Sequence, residues 1–282
     1  MLLELAVGDA YGAGFEFAEA EFVQQYNDLT AYRQHPRHRL KPGSYTDDTQ
    51  MSMAIAETLI SHEPWTPQVL AERFVRTFKR DPREGYAKRF YAFLQQVEDG
   101  ETFLAQIGNT SEKSGAAMRV SPVGVLPTVE QVLHSAKLQA AITHNTELGI
   151  NAACAAALMS HYFIYQLGKK RDLGQFLESH VSGNWNTPWQ GEVGTLGWMC
   201  VQAAVTAVMR NDSMCGILQN CIAFTGDVDT VGAIALAAAS CSVEVTQDLP
   251  PHLIEGLENG SYGRDYLMQL DRKLISLVSK NS

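Results

Sequence analysis

The sequence is short of positive charge. Its 282 residues carry 22 Lys and Arg against 31 Asp and Glu, a formal net charge of −9. That balance argues against a nucleic-acid groove, because phosphate backbones are bound by basic surfaces. The local basic run Arg33-Gln34-His35-Pro36-Arg37-His38-Arg39 reads as a solvated loop. Cysteines are few and odd in number: Cys154, Cys200, Cys215, Cys221 and Cys241, with no CxxC spacing and mostly apolar neighbours. A disulfide framework is therefore not expected, and the thiols read as reduced core residues of a cytoplasmic protein. Long apolar runs are missing too. Met1 to Val7 has neither the basic flank nor the apolar core of a signal peptide, and Val231 to Cys241 is too short to span a bilayer. No membrane partner is expected, and a monomer is. Tandem alternating strands and repeats of fixed period are also absent.

What is present is a core. Hydrophobic residues make up 45% and charged residues 19% of the chain, the composition of an ordinary globular protein long enough to bury its apolar surface. Helical patterns run over 51–59, 66–79, 84–98, 101–107, 148–167, 198–209, 231–239 and 265–278. Another, capped by Asp212 or Ser213, ends near Phe224. Pro64, Pro67 and Pro82 stand at helix starts. Residues 18–43 read as an irregular connector closed by the Lys41-Pro42-Gly43 turn. The spacing predicts an all-α, compact single-domain bundle of about ten to thirteen helices over residues 1–282.

Two stretches stand out: Ser44-Tyr45-Thr46-Asp47-Asp48-Thr49-Gln50 and Thr225-Gly226-Asp227-Val228-Asp229-Thr230. Each runs into an Ala-rich apolar segment, where Asp or Thr ordinarily serves as a helix N-cap. A cap needs one oxygen acceptor, and both stretches hold more. Adjacent carboxylates repel and raise one another's pKa unless a cation neutralises them. Carboxylates with hydroxyls form the oxygen ligand set of a hard divalent cation. Successive helical residues point about 100° apart, so an Asp-Asp pair can reach toward two metals.

Other segments leave alternatives open. The first, Leu2 to Phe17, has a helical pattern weakened by Gly8, Gly12 and Gly14, and the four-residue spacing of Gly8 and Gly12 suggests a helix pressing on that face. Glu16, between Phe15 and Phe17, is either solvent-facing or held in a site that tunes its pKa. Small residues precede Arg119 in Ser114-Gly115-Ala116-Ala117-Met118-Arg119, suiting either an anionic ligand or a helix contact. His144 precedes a long helical pattern, while His161 inside it is expected to pack. Trp185 and Trp189 read as exposed rings that either stack on a ligand, meet a partner or pin their loop.

Thr46-Asp47-Asp48-Thr49, together with Gly226-Asp227-Val228-Asp229-Thr230-Val231 followed by Ala233-Ile234, resembles the ADP-ribosylglycohydrolase family. The resemblance covers nearly the whole chain and implies an all-α fold with a dinuclear metal cleft. It implies two Mg2+ (or Mn2+) held by Thr46, Asp47, Asp48, Asp227, Asp229 and Thr230, with Asp48 and Asp229 also serving catalysis. The Gly8-Asp9…Gly12…Glu16 element matches one that sets a glutamate beside the metals and the scissile bond, making Glu16 a catalytic candidate. The Ser114, Gly115, Ala116, Met118 and Arg119 loop and His144 would hold ADP-ribose, although Lys113-Ser114 stands where Gly-Asn is common and Thr225 where Gly is common. The activity implied is removal of ADP-ribose from ADP-ribosylated protein, with ADP-ribosyl-arginine expected because an acidic site favours a cationic leaving group. The alternatives are a silent ADP-ribose binder, a hydrolase of serine-linked or small-molecule conjugates, and a Mg-dependent phosphohydrolase.

Overall fold

In the computed structural model, which describes residues 1–279, helix α13 (Val228–Ala239) is the one the others surround. Every one of its residues is buried, as an apolar, Ala-rich helix with no polar face must be. Helix α1 (Leu2–Gly12) lies along it at backbone contact. A Cβ on Gly8 would stand 2.4 Å from the Gly232 carbonyl oxygen, and one on Gly12 would stand 2.4 Å from Asp229 Cα. The four-residue glycine spacing thus marks a pressing helix, and that helix carries the second acidic stretch.

In chain order the others are α2 (Ala20–Tyr26), α3 (Asp47–Ser61), α4 (Pro67–Arg80), α5 (Lys88–Gln96), α6 (Gly100–Gln106), α7 (Gly115–Met118) and α8 (Val129–Ala141). Then come α9 (Glu147–Ile164), α10 (Leu173–His180), α11 (Gly197–Arg210), α12 (Met214–Ala223), α14 (Pro251–Gly256) and α15 (Arg264–Ser279). Around α13 stand α1, α3, α7, α9, α11 and α12, with α4 and α15 packed outside α3. The fold is all-α, and only isolated bridges join extended residues among those described. Among the described residues the fifteen α-helices exceed the expected count, and α2, α7 and α14 have only seven, four and six residues. Segments that short offer few apolar positions from which to read a helical period. Helix α2 also interrupts the expected 18–43 connector.

Caps fall where hydroxyl residues precede apolar runs: Thr66, Thr128 and Thr146 accept backbone N–H bonds at the starts of α4, α8 and α9. Ser213, rather than Asp212, caps α12. All five cysteines are free. His161 is buried and bonded to the Gly124 carbonyl. Trp185 is buried rather than exposed; its Nε1 donates to Val181 O, and that of Trp189 donates to Gly191 O. Both rings pin their loop. No helix among the described residues is long and apolar enough to cross a membrane.

The α1–α13 contact gives a direct test. Gly8→Ala gains up to about 1 kcal/mol of helix propensity, but its methyl meets backbone that cannot turn aside, an overpacking that costs about 1–3 kcal/mol or more. Urea denaturation is expected to show net destabilisation. A variant as stable as the parent would mean the two helices are not held at backbone contact.

Candidate metal centre

Three acidic segments meet at one place: the start of α3, the start of α13 and the turn after α1. Asp9 joins the first to the third. It is fully buried, and its carboxylate accepts from Thr46 N, Thr46 Oγ1, Thr49 N and Thr49 Oγ1 at 2.5–3.1 Å. Burial pushes its pKa up to about 6 against the downward pull of those bonds. The first turn of α3 is thereby fixed. Thr46 also caps α3 through a 3.4 Å bond from Asp48 N, so neither Asp47 nor Asp48 supplies the cap.

At α13 the cap position belongs to Asp227, yet its side chain makes no capping bond. Asp227 Oδ2 instead accepts from Ser114 Oγ at 3.2 Å and from Cys200 Sγ at 3.6 Å. Gly226 before it has φ 90, and a Cβ there would lie 1.9 Å from the Val193 carbonyl oxygen. Thr225 has φ 63. A β-branched residue in the left-handed region is strained by roughly 1–2 kcal/mol, a physical reason for glycine to suit that place. The Glu16 turn is tied to the same loop, since Phe17 N donates to Gly226 O at 2.8 Å.

Carboxylate oxygens of Glu16, Asp227 and Asp229 lie within 4.8 Å of one another. Glu16 therefore groups with the α13 aspartates, a neighbourhood that its separation in sequence hides. Burial, then Asp227 and Asp9, push the Glu16 pKa up to about 7. Asp47 is held well above its ordinary value by burial, then by Asp9, Glu16 and Asp227. Asp229 is raised by burial, then by Glu16, Asp227 and Asp48. The two acidic stretches thus share one electrostatic field. Thr46 and Thr230 are buried beside them, and Asp48 Oδ1 is buried with no hydrogen-bond partner. Caps account for one threonine hydroxyl. The remaining oxygens form a concentrated, low-solvent anionic site in which, among the described residues, no cationic side chain is bonded to Asp47, Asp48, Asp227 or Asp229, and an all-oxygen donor set suits a hard divalent cation.

The expected ligand-holding residues divide. Ser114 touches Asp227, and Gly115 lies against His144, whose Cε1 would be 3.1 Å from a Cβ on that glycine. His144 Nδ1 is 2.7 Å from Thr143 Oγ1, while its buried Nε2 has no partner. Burial, then Arg119, push its pKa down to about 3, so the ring is neutral. Ala116, Met118 and Arg119 lie behind this surface instead of on it. Arg119 is 1% exposed, sits over the Phe74 ring and donates to Gln139 Oε1, Gln139 O and Thr143 Oγ1. The guanidinium holds α7 against α8 and orients Thr143 under His144. Asp9 is the residue whose role the motif did not disclose, because its partners lie 37 and 40 positions away.

A family model described as ADP-ribosylglycohydrolase matches residues 1–282. The chain is 30% identical over 268 residues to ADP-ribosyl-[dinitrogen reductase] glycohydrolase of Rhodospirillum rubrum, covering 91% of this chain and 88% of that protein. It is 28% identical over 234 residues to ADP-ribosylhydrolase ARH3 of Homo sapiens, covering 71% of this chain and 63% of that one. ADP-ribosylarginine hydrolase Tri1 of Pseudomonas putida is 21% identical over 272 residues, covering 90% and 72%. A solved structure named ADP-ribosylglycohydrolase-related protein complex superposes with a TM-score of 0.76 at 22% identity, over 98% of this chain and 96% of that one, and has the same fold.

Stability with and without metal separates a cation site from a cap. In chelator, Asp48→Asn removes a carboxylate that burial, Asp9, Asp47 and Asp227 all disfavour, and is expected to stabilise the protein. Saturating Mn2+ is expected to reverse the order, since ligand at 100 times Kd adds about 2.7 kcal/mol to a protein that binds it. Thermal melts in both conditions check this. A variant less stable than the parent in chelator would return Asp48 to a structural role.

Proposed function

The chain belongs to the ADP-ribosylglycohydrolase family, and from that premise we propose that it hydrolyses ADP-ribosyl-arginine in modified proteins. Two divalent cations, Mg2+ or Mn2+, would be held by Thr46, Asp47, Asp48, Asp227, Asp229 and Thr230. The observation that carries the reading is the grouping of Glu16, Asp227 and Asp229 within 4.8 Å, with Asp48 Oδ1 buried and unpartnered nearby. When bound, divalent cations supply Lewis-acid charge to ribose hydroxyls and make a water acidic enough to act near neutrality.

The chain's own residues do the rest. Cleavage at the ribose anomeric carbon passes through an oxocarbenium-like state, whose positive charge the surrounding carboxylates favour. Glu16, raised toward neutrality, can take a proton from the attacking water at its carboxylate oxygen. Asp48 and Asp229 orient the sugar from opposite helix starts. Ser114, Gly115 and the unpartnered Nε2 of His144 would meet the nucleotide. Ala116, Met118 and Arg119 would act by holding that loop. A cytoplasmic monomer without nucleic-acid or membrane partners fits the net charge of −9 and the five free cysteines.

The preference for arginine follows from charge. A departing guanidinium is cationic, and an acidic surface attracts it where a serine hydroxyl gains nothing. The name of the Pseudomonas putida relative supports an arginine linkage, and that of the near full-length Rhodospirillum rubrum relative supports a protein substrate.

Release of ADP-ribose from arginine-modified and serine-modified proteins tests the linkage. The arginine substrate is expected to react faster, and rising salt to lower its kcat/KM more. Equal rates, or a preference for serine, would refute the linkage alone. Glu16→Gln is expected to bind ADP-ribose and turn over at least ~100-fold more slowly, the scale of general acid–base catalysis. Equal turnover would remove Glu16 from the chemistry.

A further inference from the structure

The basic loop beyond α2 reaches the metal centre through one buried ring. His35 is 3% exposed, although its neighbours Gln34, Pro36, Arg37 and His38 are all exposed. Its Nδ1 accepts the backbone N–H groups of Arg37 and His38, each at 3.0 Å. A ring nitrogen that accepts carries no proton, so the proton of the neutral ring is on Nε2. Nε2–H lies 2.8 Å from the Glu16 carbonyl oxygen and donates to it. Arg37 donates to the next carbonyl, that of Phe17. A Cβ on Gly14 would stand 2.7 Å from the Arg33 carbonyl oxygen, so the loop backs the turn from Gly14 to Phe17. Phe17 itself has φ 48, a conformation that a bulky residue keeps only where its surroundings determine it. Its N–H is held from the other side by Gly226 O.

We infer that His35 is a positioning residue for Glu16: two backbone donors fix its tautomer, and its Nε2–H fixes the Glu16 carbonyl, so that the carboxylate stays beside Asp227 and Asp229. The alternative is a histidine that merely folds its own loop. The two differ in which ring nitrogen matters. Loop folding needs the Nδ1 acceptor, whereas positioning needs the Nε2 donor.

Three variants separate them. His35→Gln keeps an N–H donor near Nε2, His35→Asn keeps an acceptor near Nδ1, and His35→Ala keeps neither. On the reading of Glu16 given above, on which this role depends, the Ala and Asn variants are expected to lose on the order of 10–100-fold in kcat, since a displacement of about 1 Å at a reacting group costs about that much. KM and ADP-ribose affinity are expected to stay within about threefold, because binding needs no such alignment. The Gln variant is expected to recover most of kcat. Hydrogen exchange at the Phe17 amide gives a readout without turnover: faster in Ala and Asn, near the parent rate in Gln. Unchanged exchange in Ala, equal kcat losses in Gln and Asn, or a rise in KM at unchanged kcat would each overturn the role. Should the parent protein release no ADP-ribose from any substrate, the proposed hydrolysis fails, and Phe17 exchange still decides whether His35 holds the turn.

Discussion

A single buried carboxylate, that of Asp9, fixes the geometry on which the centre depends. Its four hydrogen bonds to Thr46 and Thr49 join the end of α1 to the start of α3. The same stretch of α1 touches α13 at the backbone, through Gly8 against Gly232 and Gly12 against Asp229. Three helix ends are thus set at fixed separations by contacts that involve almost no long, flexible side chains. Asp47, Asp48, Asp227 and Asp229 need only project from backbone already in place. Preorganisation of this kind is what a metal site requires of its scaffold.

That arrangement opposes stability. Burial raises every carboxylate in the cluster, and each raises its neighbours. The start of a helix offsets part of the repulsion, by roughly 0.3–1 kcal/mol per anion at exposed sites and up to about 2 kcal/mol in partly buried ones. Two helix starts therefore soften the repulsion without cancelling it. A protein holding this cluster for structure alone would gain by replacing aspartate with asparagine, so the acidic residues make physical sense as sites for an added positive charge.

Much of this was legible in the sequence, and the failures are instructive. The helices on periodicity, the threonine caps and the excess of carboxylates over capping needs all carry local signals. Gly8 and Gly12 announced the helix contact by their spacing. An arginine after small residues looks like an anion contact, and nothing near Arg119 in sequence shows that Phe74, Gln139 and Thr143 enclose it. Trp185 misled for the same reason, sitting among turn-forming residues while its ring is buried. Asp9 and His35 act through partners that local pattern cannot reveal: residues 37 and 40 positions on for Asp9, and one 19 positions back for His35. Local chemistry was readable; burial and long-range pairing were not.

The claim that joins these observations is that the convergent carboxylates hydrolyse an ADP-ribosyl bond with a divalent cation in place. The most direct measurement is release of free ADP-ribose from an arginine-ADP-ribosylated protein by exhaustively chelated enzyme, repeated as Mn2+ or Mg2+ is titrated back. No release without the cation, and recovery that saturates as it is added, is the result predicted. Release undiminished after chelation would contradict the account.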